Sequence, residues 1–225
     1  MLASVLIVAA GRGRRFGDPL PKQYLSVAGI CSLRRCLDLF LSLGSIGAVQ
    51  VVIHPEDMPL YSDAVAGLTD MRLLPPVAGG ETRSKSVTCG LQALEAHTPD
   101  CVLVHDAARP FVSARIIADV LAALETSQAA FAAMPVVDAL WRVEGGAALS
   151  PVSRDGLWRA QTPQGFHFAP LLAAHLSYQG DAADDVEIAR AMGLEVRVVL
   201  GAPDNFKITS PGDLERAEQI AKQRQ

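Results

Sequence analysis

The run Val5-Leu6-Ile7-Val8-Ala9-Ala10-Gly11-Arg12-Gly13-Arg14-Arg15-Phe16-Gly17-Asp18-Pro19-Leu20-Pro21-Lys22 passes from an apolar, largely β-branched stretch straight into a loop of small residues carrying four cations. The first half predicts a strand buried on both faces. In the second, small residues leave backbone N–H groups open to phosphate oxygens, while Arg12, Arg14, Arg15 and Lys22 bring positive charge to the same place. Two blander readings compete. A dinucleotide fingerprint needs Gly-x-Gly-x-x-Gly opening a helix at once and an acid at the end of the second strand. Here Gly17 falls one residue late, Pro19 and Pro21 prevent an immediate helix, and the next strand candidate, 49–53, runs into His54-Pro55. A plain glycine-rich turn would not need so many cations. The stretch therefore points to a triphosphate site at the end of the first strand.

Working outward, apolar runs recur at 2–9, 49–53, 101–104, 130–137 and 195–200, and helical patterns fall near 31–43, 57–67, 84–96 and 113–125. This alternation predicts an α/β fold, a mostly parallel twisted sheet with helices on both faces. Ligands of such sheets sit outside the carboxyl ends of the strands, here the loops 10–22, 76–83, 105–110 and 201–207. One segment breaks the pattern. Residues 138–154 hold two short extended runs flanking Gly145-Gly146, which predicts a protruding β-arm at about 136–159. Such an arm cannot bury Leu140, Trp141, Val143 and Leu149 by itself, so homodimerisation through the arm is expected, the alternative being a hairpin folded back on its own sheet.

With 225 residues, half of them hydrophobic, the chain is expected to form a single domain over 1–225. A net charge of -4, with the basic residues confined to short loops, argues against a nucleic-acid partner. Cys31, Cys36, Cys89 and Cys101 form no Cys-x-x-Cys pair, which suggests reduced thiols and no zinc site. The N-terminal apolar run lacks a basic leader, and no other stretch approaches a membrane span, so a soluble cytoplasmic protein is expected.

Three further constellations carry chemistry. Val102-Leu103-Val104-His105-Asp106-Ala107-Ala108-Arg109-Pro110 ends a buried strand in a carboxylate that can coordinate Mg²⁺, followed by an arginine that can hold a phosphate; a structural Asp106–Arg109 ion pair explains the same residues. Gly79-Gly80-Glu81-Thr82-Arg83-Ser84-Lys85-Ser86 opens a helix where free N–H groups and a hydroxyl can meet a base or sugar, although simple capping by Thr82 or Ser84 is an equal account. Asp204-Asn205-Phe206-Lys207 repeats the pairing of carboxylate and cation ahead of a terminal helix capped by Ser210 with Pro211 in its first turn. Neither a hydrolase nucleophile elbow nor a Walker loop is present, so phosphates are handled without a covalent nucleophile.

Together, Ala9-Ala10-Gly11-x-Gly13-x-Arg15, Pro21-Lys22-Gln23-Tyr24-Leu25, Gly79-Gly80-x-x-Arg83-x-x-Ser86, His105-Asp106-Ala107-Ala108-Arg109-Pro110, Thr162-Pro163-Gln164 and Asp204-Asn205-x-Lys207 resemble the 2-C-methyl-D-erythritol 4-phosphate cytidylyltransferase family, in the family's order and across nearly the whole chain. The resemblance implies a Rossmann-like nucleotidyltransferase fold, a Mg²⁺-dependent transfer from CTP to a polyol phosphate, and a homodimer joined through the arm. By the same resemblance, Arg15 and Lys22 would stabilise charge at the α-phosphate, with Asp106 and Asp204 near the metal. Ala9, Ala10, Gly11, Gly13, Gly80, Arg83 and Ser86 would line the CTP pocket. Arg109, Lys207 and a partner's Arg154 would hold methylerythritol phosphate.

Departures lie on the acceptor side. The family's Asp-Thr-x-Lys is Asp138-Ala139-Leu140-Trp141 here, and its Thr-Asp-[Asp/Glu] is Ala183-Asp184-Asp185. Three readings of function follow: the methylerythritol phosphate enzyme, a cytidylyltransferase for another polyol phosphate such as ribitol 5-phosphate, and a nucleotide-binding protein without catalysis.

Overall fold

The computed structural model describes residues 2–12 and 20–224. Strand β1 (Ala3–Ala9) is followed, beyond the cationic loop, by a short hairpin, β2 (Ser26–Val27) and β3 (Ile30–Cys31), and by helix α1 (Ser32–Ser42). Then come β4 (Ile46–Ile53), α2 (Met58–Ala64), β5 (Val77–Ala78), α3 (Arg83–Glu95), β6 (Cys101–Asp106), α4 (Ala114–Ala123) and β7 (Ala129–Pro135). The arm strands β8 (Leu140–Glu144) and β9 (Ala147–Val152) lead into β10 (Trp158–His167), α5 (Phe168–Ser177), α6 (Asp185–Ala191), β11 (Val196–Leu200) and α7 (Pro211–Gln223).

The central sheet has seven strands in the order β11-β7-β10-β6-β1-β4-β5. β1 lies parallel between β4 and β6, Val5 standing opposite both Val49 and Leu103. β10 runs antiparallel between β6 and β7. Period-two alternation divides β1 between two cores: Ala3, Val5, Ile7 and Ala9 enter the layer beneath α1 and α4, while Leu6 enters the layer beneath α3 and α5, with Val8 packed against that layer. Burial on both faces is why this strand reads as a continuous apolar run. Helix α3 approaches the sheet closely at Gly90, where a Cβ would lie 2.2 Å from Leu6 Cδ1 and 2.7 Å from Val52 Cγ2.

The expected strands and helices recur within a few residues of their predicted bounds. Pattern reading missed β10 and the two helices after it. Trp158-Arg-Ala-Gln-Thr-Pro-Gln-Gly-Phe-His167 carries a proline, a glycine and several polar residues, and it is held by pairing on both sides rather than by propensity. Gly165 is required there because a Cβ would meet Val120 Cγ1 at 2.6 Å.

The arm forms as predicted and makes a two-stranded sheet of its own, so the hairpin does not fold back on the central sheet. Gly145 and Gly146 both take positive φ, 55° and 84°, as a tight turn between Glu144 and Ala147 demands. Trp141, Val143 and Leu149 are more than half exposed in the single chain. Among the described residues, no helix is long and apolar enough to cross a membrane. All four cysteines are free thiols.

Candidate active site

The carboxyl ends of β1, β4 and β6 open onto a cavity of about 590 Å³, to which Ala10, Gly11, Arg12, Lys22, His54, Gly80, Arg83, Ser86, Asp106 and Lys207 contribute. Most of these residues lie in the loops that the sequence singles out, far apart in the chain. Ala9 itself is buried in β1 and contributes its carbonyl, which accepts a hydrogen bond from Gln23 Nε2 at 2.5 Å. The same amide donates to the Gly11 carbonyl at 3.1 Å, drawing the single turn 22–24 against the end of β1 and so placing Lys22 at the rim. Arg12 is clamped at the opposite wall, donating to Asp57 Oδ1 at 2.9 Å and to His54 Nδ1 at 2.7 Å and pairing with Glu56. Gly13 and Arg15 lie outside the described residues.

On the third wall, Thr82 caps α3 by accepting from the Lys85 N–H, so the capping account of this motif holds for Thr82. Ser86 has a separate task. Its hydroxyl donates to the Thr82 carbonyl at 2.9 Å and accepts from the Gly80 N–H at 3.1 Å, folding the glycine loop over the helix start. A Cβ on Gly79 would lie 2.6 Å from Ala10 Cβ and 2.7 Å from Ser86 Oγ, so only glycine permits this approach of the two ligand loops.

Asp106 stands at the floor, facing three cations: Lys207 Nζ at 2.9 Å, and the Nε atoms of Arg83 and Arg109, each at 3.4 Å. Burial on its own would raise this carboxyl, but Lys207, Arg83 and Arg109 together hold it well below the usual carboxylate range, so it is ionised. Burial pulls Arg109 down from its ordinary value against the opposing pull of Asp106. The Asp106–Arg109 ion pair of the structural reading is thus present, yet even with Asp185 behind Arg83 two carboxylates cannot neutralise three cations. The surplus positive charge is the electrostatic condition for binding a polyphosphate.

The floor is fixed from beneath by His105. Thr162 Oγ1 accepts from the Asp106 N–H at 3.1 Å and lies 2.9 Å from His105 Nδ1, while His105 Nε2 lies 3.1 Å from the Arg109 carbonyl. A carbonyl can only accept, so the proton sits on Nε2 and the threonine hydroxyl donates to Nδ1. Burial, ahead of the raising effect of Asp106, lowers this imidazole to about 4, which keeps it neutral and suited to that pattern.

A second cavity of about 210 Å³ adjoins the first, sharing Arg83, Asp106 and Lys207 and adding Arg109, Gln161, Thr162, Gln164, Ala183 and Asp184. Arg109 is aimed by donating to the carbonyls of Asn205 at 2.9 Å and Ala160 at 3.4 Å. Of the residues lining this cavity, the sequence points to Arg109 and Lys207 for the acceptor phosphate, to Arg83 for CTP and Asp106 for a metal, and to Ala183 as a departure on the acceptor side, but gives no role to Gln161, Thr162 or Gln164. Thr162-Pro163-Gln164 and Ala183-Asp184-Asp185 were visible as motifs, but their wall-forming role depends on the unrecognised strand β10.

Three expected residues among those described are not brought to either cavity: Ala9, which faces the core from β1, Asp204 and Arg154. Asp204 pairs with Arg224 at 3.1 Å and Arg216 at 3.9 Å, on the α7 side. The reason is its neighbour: Asn205 is buried, donating to the Thr162 carbonyl at 2.8 Å and Gln161 Oε1 at 3.2 Å, and this turns Asp204 outward. Asp204 is therefore not placed as a metal ligand. Arg154 sits on the exposed arm, donating to the Val137 carbonyl, away from the cavities of its own chain. Among the described residues, no cluster of three or more His, Cys, Asp or Glu side chains could cage a metal. Ionised Asp106 nevertheless suits Mg²⁺, which commonly takes one or two carboxylates and completes its shell with substrate phosphates and water.

The family model for 2-C-methyl-D-erythritol 4-phosphate cytidylyltransferase (IspD) matches residues 3–223. The chain belongs to this family. A Cereibacter sphaeroides 2-C-methyl-D-erythritol 4-phosphate cytidylyltransferase is 47% identical over 98% of this chain and 97% of its own. A Rhodobacter capsulatus bifunctional enzyme IspD/IspF is 50% identical over 100% of this chain, which spans 57% of that relative's length. Among solved structures, the Thermus thermophilus 2-C-methyl-D-erythritol 4-phosphate cytidylyltransferase superposes with a TM-score of 0.81 at 37% identity, covering 99% of this chain and 100% of the other. The family match covers every residue that lines the two cavities.

Proposed function

We propose that this chain transfers the cytidylyl group of CTP to 2-C-methyl-D-erythritol 4-phosphate, releasing pyrophosphate. The observation that carries this reading is the cationic floor shared by two adjoining cavities, one large enough for a nucleotide and one for a small polyol phosphate. A phosphate monoester is largely dianionic at neutral pH. Its oxygen attacks the α-phosphorus, a new P–O bond forms, the bond to the bridging α,β-oxygen breaks, and pyrophosphate leaves with that electron pair. No general base is needed, so the protein contributes alignment and charge neutralisation. Lys22 and Arg15 serve the nucleotide, Lys207 stands between the cavities, and Arg109 holds the acceptor phosphate. Mg²⁺ on Asp106 would supply further neutralisation of the triphosphate.

The exposed apolar arm supports a homodimer in which Arg154 of each subunit serves the other's acceptor cavity, and water-soluble ionic substrates fit a cytoplasmic enzyme. Purified protein with CTP, Mg²⁺ and methylerythritol phosphate should release pyrophosphate; no release above a metal-free control would defeat the reading. Ala183, at the edge of the acceptor cavity where the family carries a hydroxyl, keeps ribitol 5-phosphate as the second acceptor to assay. A kcat/KM for ribitol 5-phosphate well below that for methylerythritol phosphate removes the alternative. Turnover of any acceptor removes the non-catalytic one.

A further inference from the structure

Among the described residues, Arg83 is the one arginine that lines both cavities, and what holds it there lies behind the site. Its Nη2 lies 2.9 Å from Asp185 Oδ2, at the start of α6. The other oxygen of that carboxylate is 3.3 Å from His175 Nε2 on α5, and His175 Nδ1 lies 3.2 Å from Thr88 Oγ1, further along α3 from Arg83. The chain of contacts thus leaves α3 through the arginine and returns to it through the threonine. Gln164 ties the same corner to β10, its Oε1 accepting from the Asp185 N–H at 3.1 Å. Both Asp185 and the His175 side chain are fully buried.

A buried carboxylate contributes little net stability, since well-packed apolar residues of similar volume do as well or better. Its value here is geometric. Arg83 has two carboxylates within reach, Asp185 at 2.9 Å and Asp106 at 3.4 Å, and without Asp185 its guanidinium would turn towards Asp106 alone and leave the position it holds between the cavities. We infer that Asp185, braced by His175, is a positioning residue that holds Arg83 extended across the junction of the two cavities. This rests on the cytidylyl-transfer reading, and it extends that reading to a residue that touches neither substrate.

Removing the charge with Asp185→Asn should raise KM for CTP about tenfold while kcat stays within about threefold, because the interaction serves nucleotide binding before the transition state. The Kd for CTP with Mg²⁺, measured calorimetrically, should rise in parallel. In an Arg83→Ala background the same substitution should add no further loss of CTP affinity, which a general packing defect would not reproduce. Equal losses of affinity in both backgrounds, or a wild-type KM for CTP in folded Asp185→Asn, overturn the inference. If Asp185→Asn does not fold, His175→Gln decides: a rise of about threefold in KM for CTP is expected, and none overturns it. Absence of CTP turnover in the wild type would instead defeat the parent reading, so the two failures are distinct.

Discussion

Replacing Lys207 with methionine keeps the length of the side chain and removes its charge. In the free protein the ammonium lies 2.9 Å from Asp106 Oδ2 and its side chain is one-third exposed. Asp106 keeps Arg83 and Arg109 after the change, both at 3.4 Å. A partly solvated pair that leaves its partner compensated should cost folding about 1 kcal/mol or less, which in a domain of this size is a fall of about 2–4 °C in Tm. On the cytidylyl-transfer reading the same cation meets charge developing on the oxygens of the transferring group, and removing one such preorganised group costs on the order of 10²–10³ in kcat, about 2.7–4 kcal/mol. Activity should therefore fall far more than stability. Steady-state pyrophosphate release alongside thermal melting separates the two, and Lys207→Arg should recover part of the rate. A kcat within about threefold of wild type, or a rate loss matched by the unfolded fraction, would refute the electrostatic account.

Lys22→Ala should lower kcat by a large factor with little change in Tm, and unchanged turnover would remove Lys22 from the mechanism. Asp106 and Asp185 both titrate below the ordinary carboxylate range, burial opposing their cationic partners in each case. Below about pH 6.5 the unfolded chain protonates His105, which the folded chain holds neutral down to about 4, and below about pH 4 it also protonates the two carboxylates that the folded chain keeps ionised, so stability is full only above about pH 6.5 and falls further towards pH 3; urea titrations at pH 7, 5 and 3 check the slope, and Asp106→Asn should flatten its most acidic part. Gly90→Ala should destabilise by about 1–2 kcal/mol, because overpacking against Leu6 and Val52 outweighs the gain in helix propensity; an unchanged or raised Tm would contradict the packing described. Trp141→Ser combined with Leu149→Ser should yield monomers by light scattering, and a persistent dimer would dismiss the arm as its interface.

The parallel half of the fold was legible because β1, β4 and β6 are buried on both faces and announce themselves as apolar runs. The loops that follow them were legible because phosphate chemistry needs glycine and cations where the strands end. β10 was not, since neighbouring strands impose its extended form on a polar sequence. With it went the acceptor wall, Gln161, Thr162 and Gln164, and the packing of Asp185 against Arg83. Asp204 misled for a related reason: composition shows a carboxylate directly before Asn205-x-Lys207, but only the burial of Asn205 decides which way it turns.

β10 begins at Trp158 against the base of the arm, passes Gln161, Thr162 and Gln164 at the acceptor wall, and ends at His167, next to α5. Its pairing with β7 is regular at both ends and shifts register only between Ala160 and Gln164, the stretch that lines the second cavity. The hairpin and the wall of the second cavity are therefore joined through a single strand, and the residues where that strand leaves its regular pairing are held instead by their side chains, Thr162 to the Asp106 N–H and Gln164 to the Asp185 N–H, so a displacement of the arm would be passed to the two carboxylates that flank Arg83.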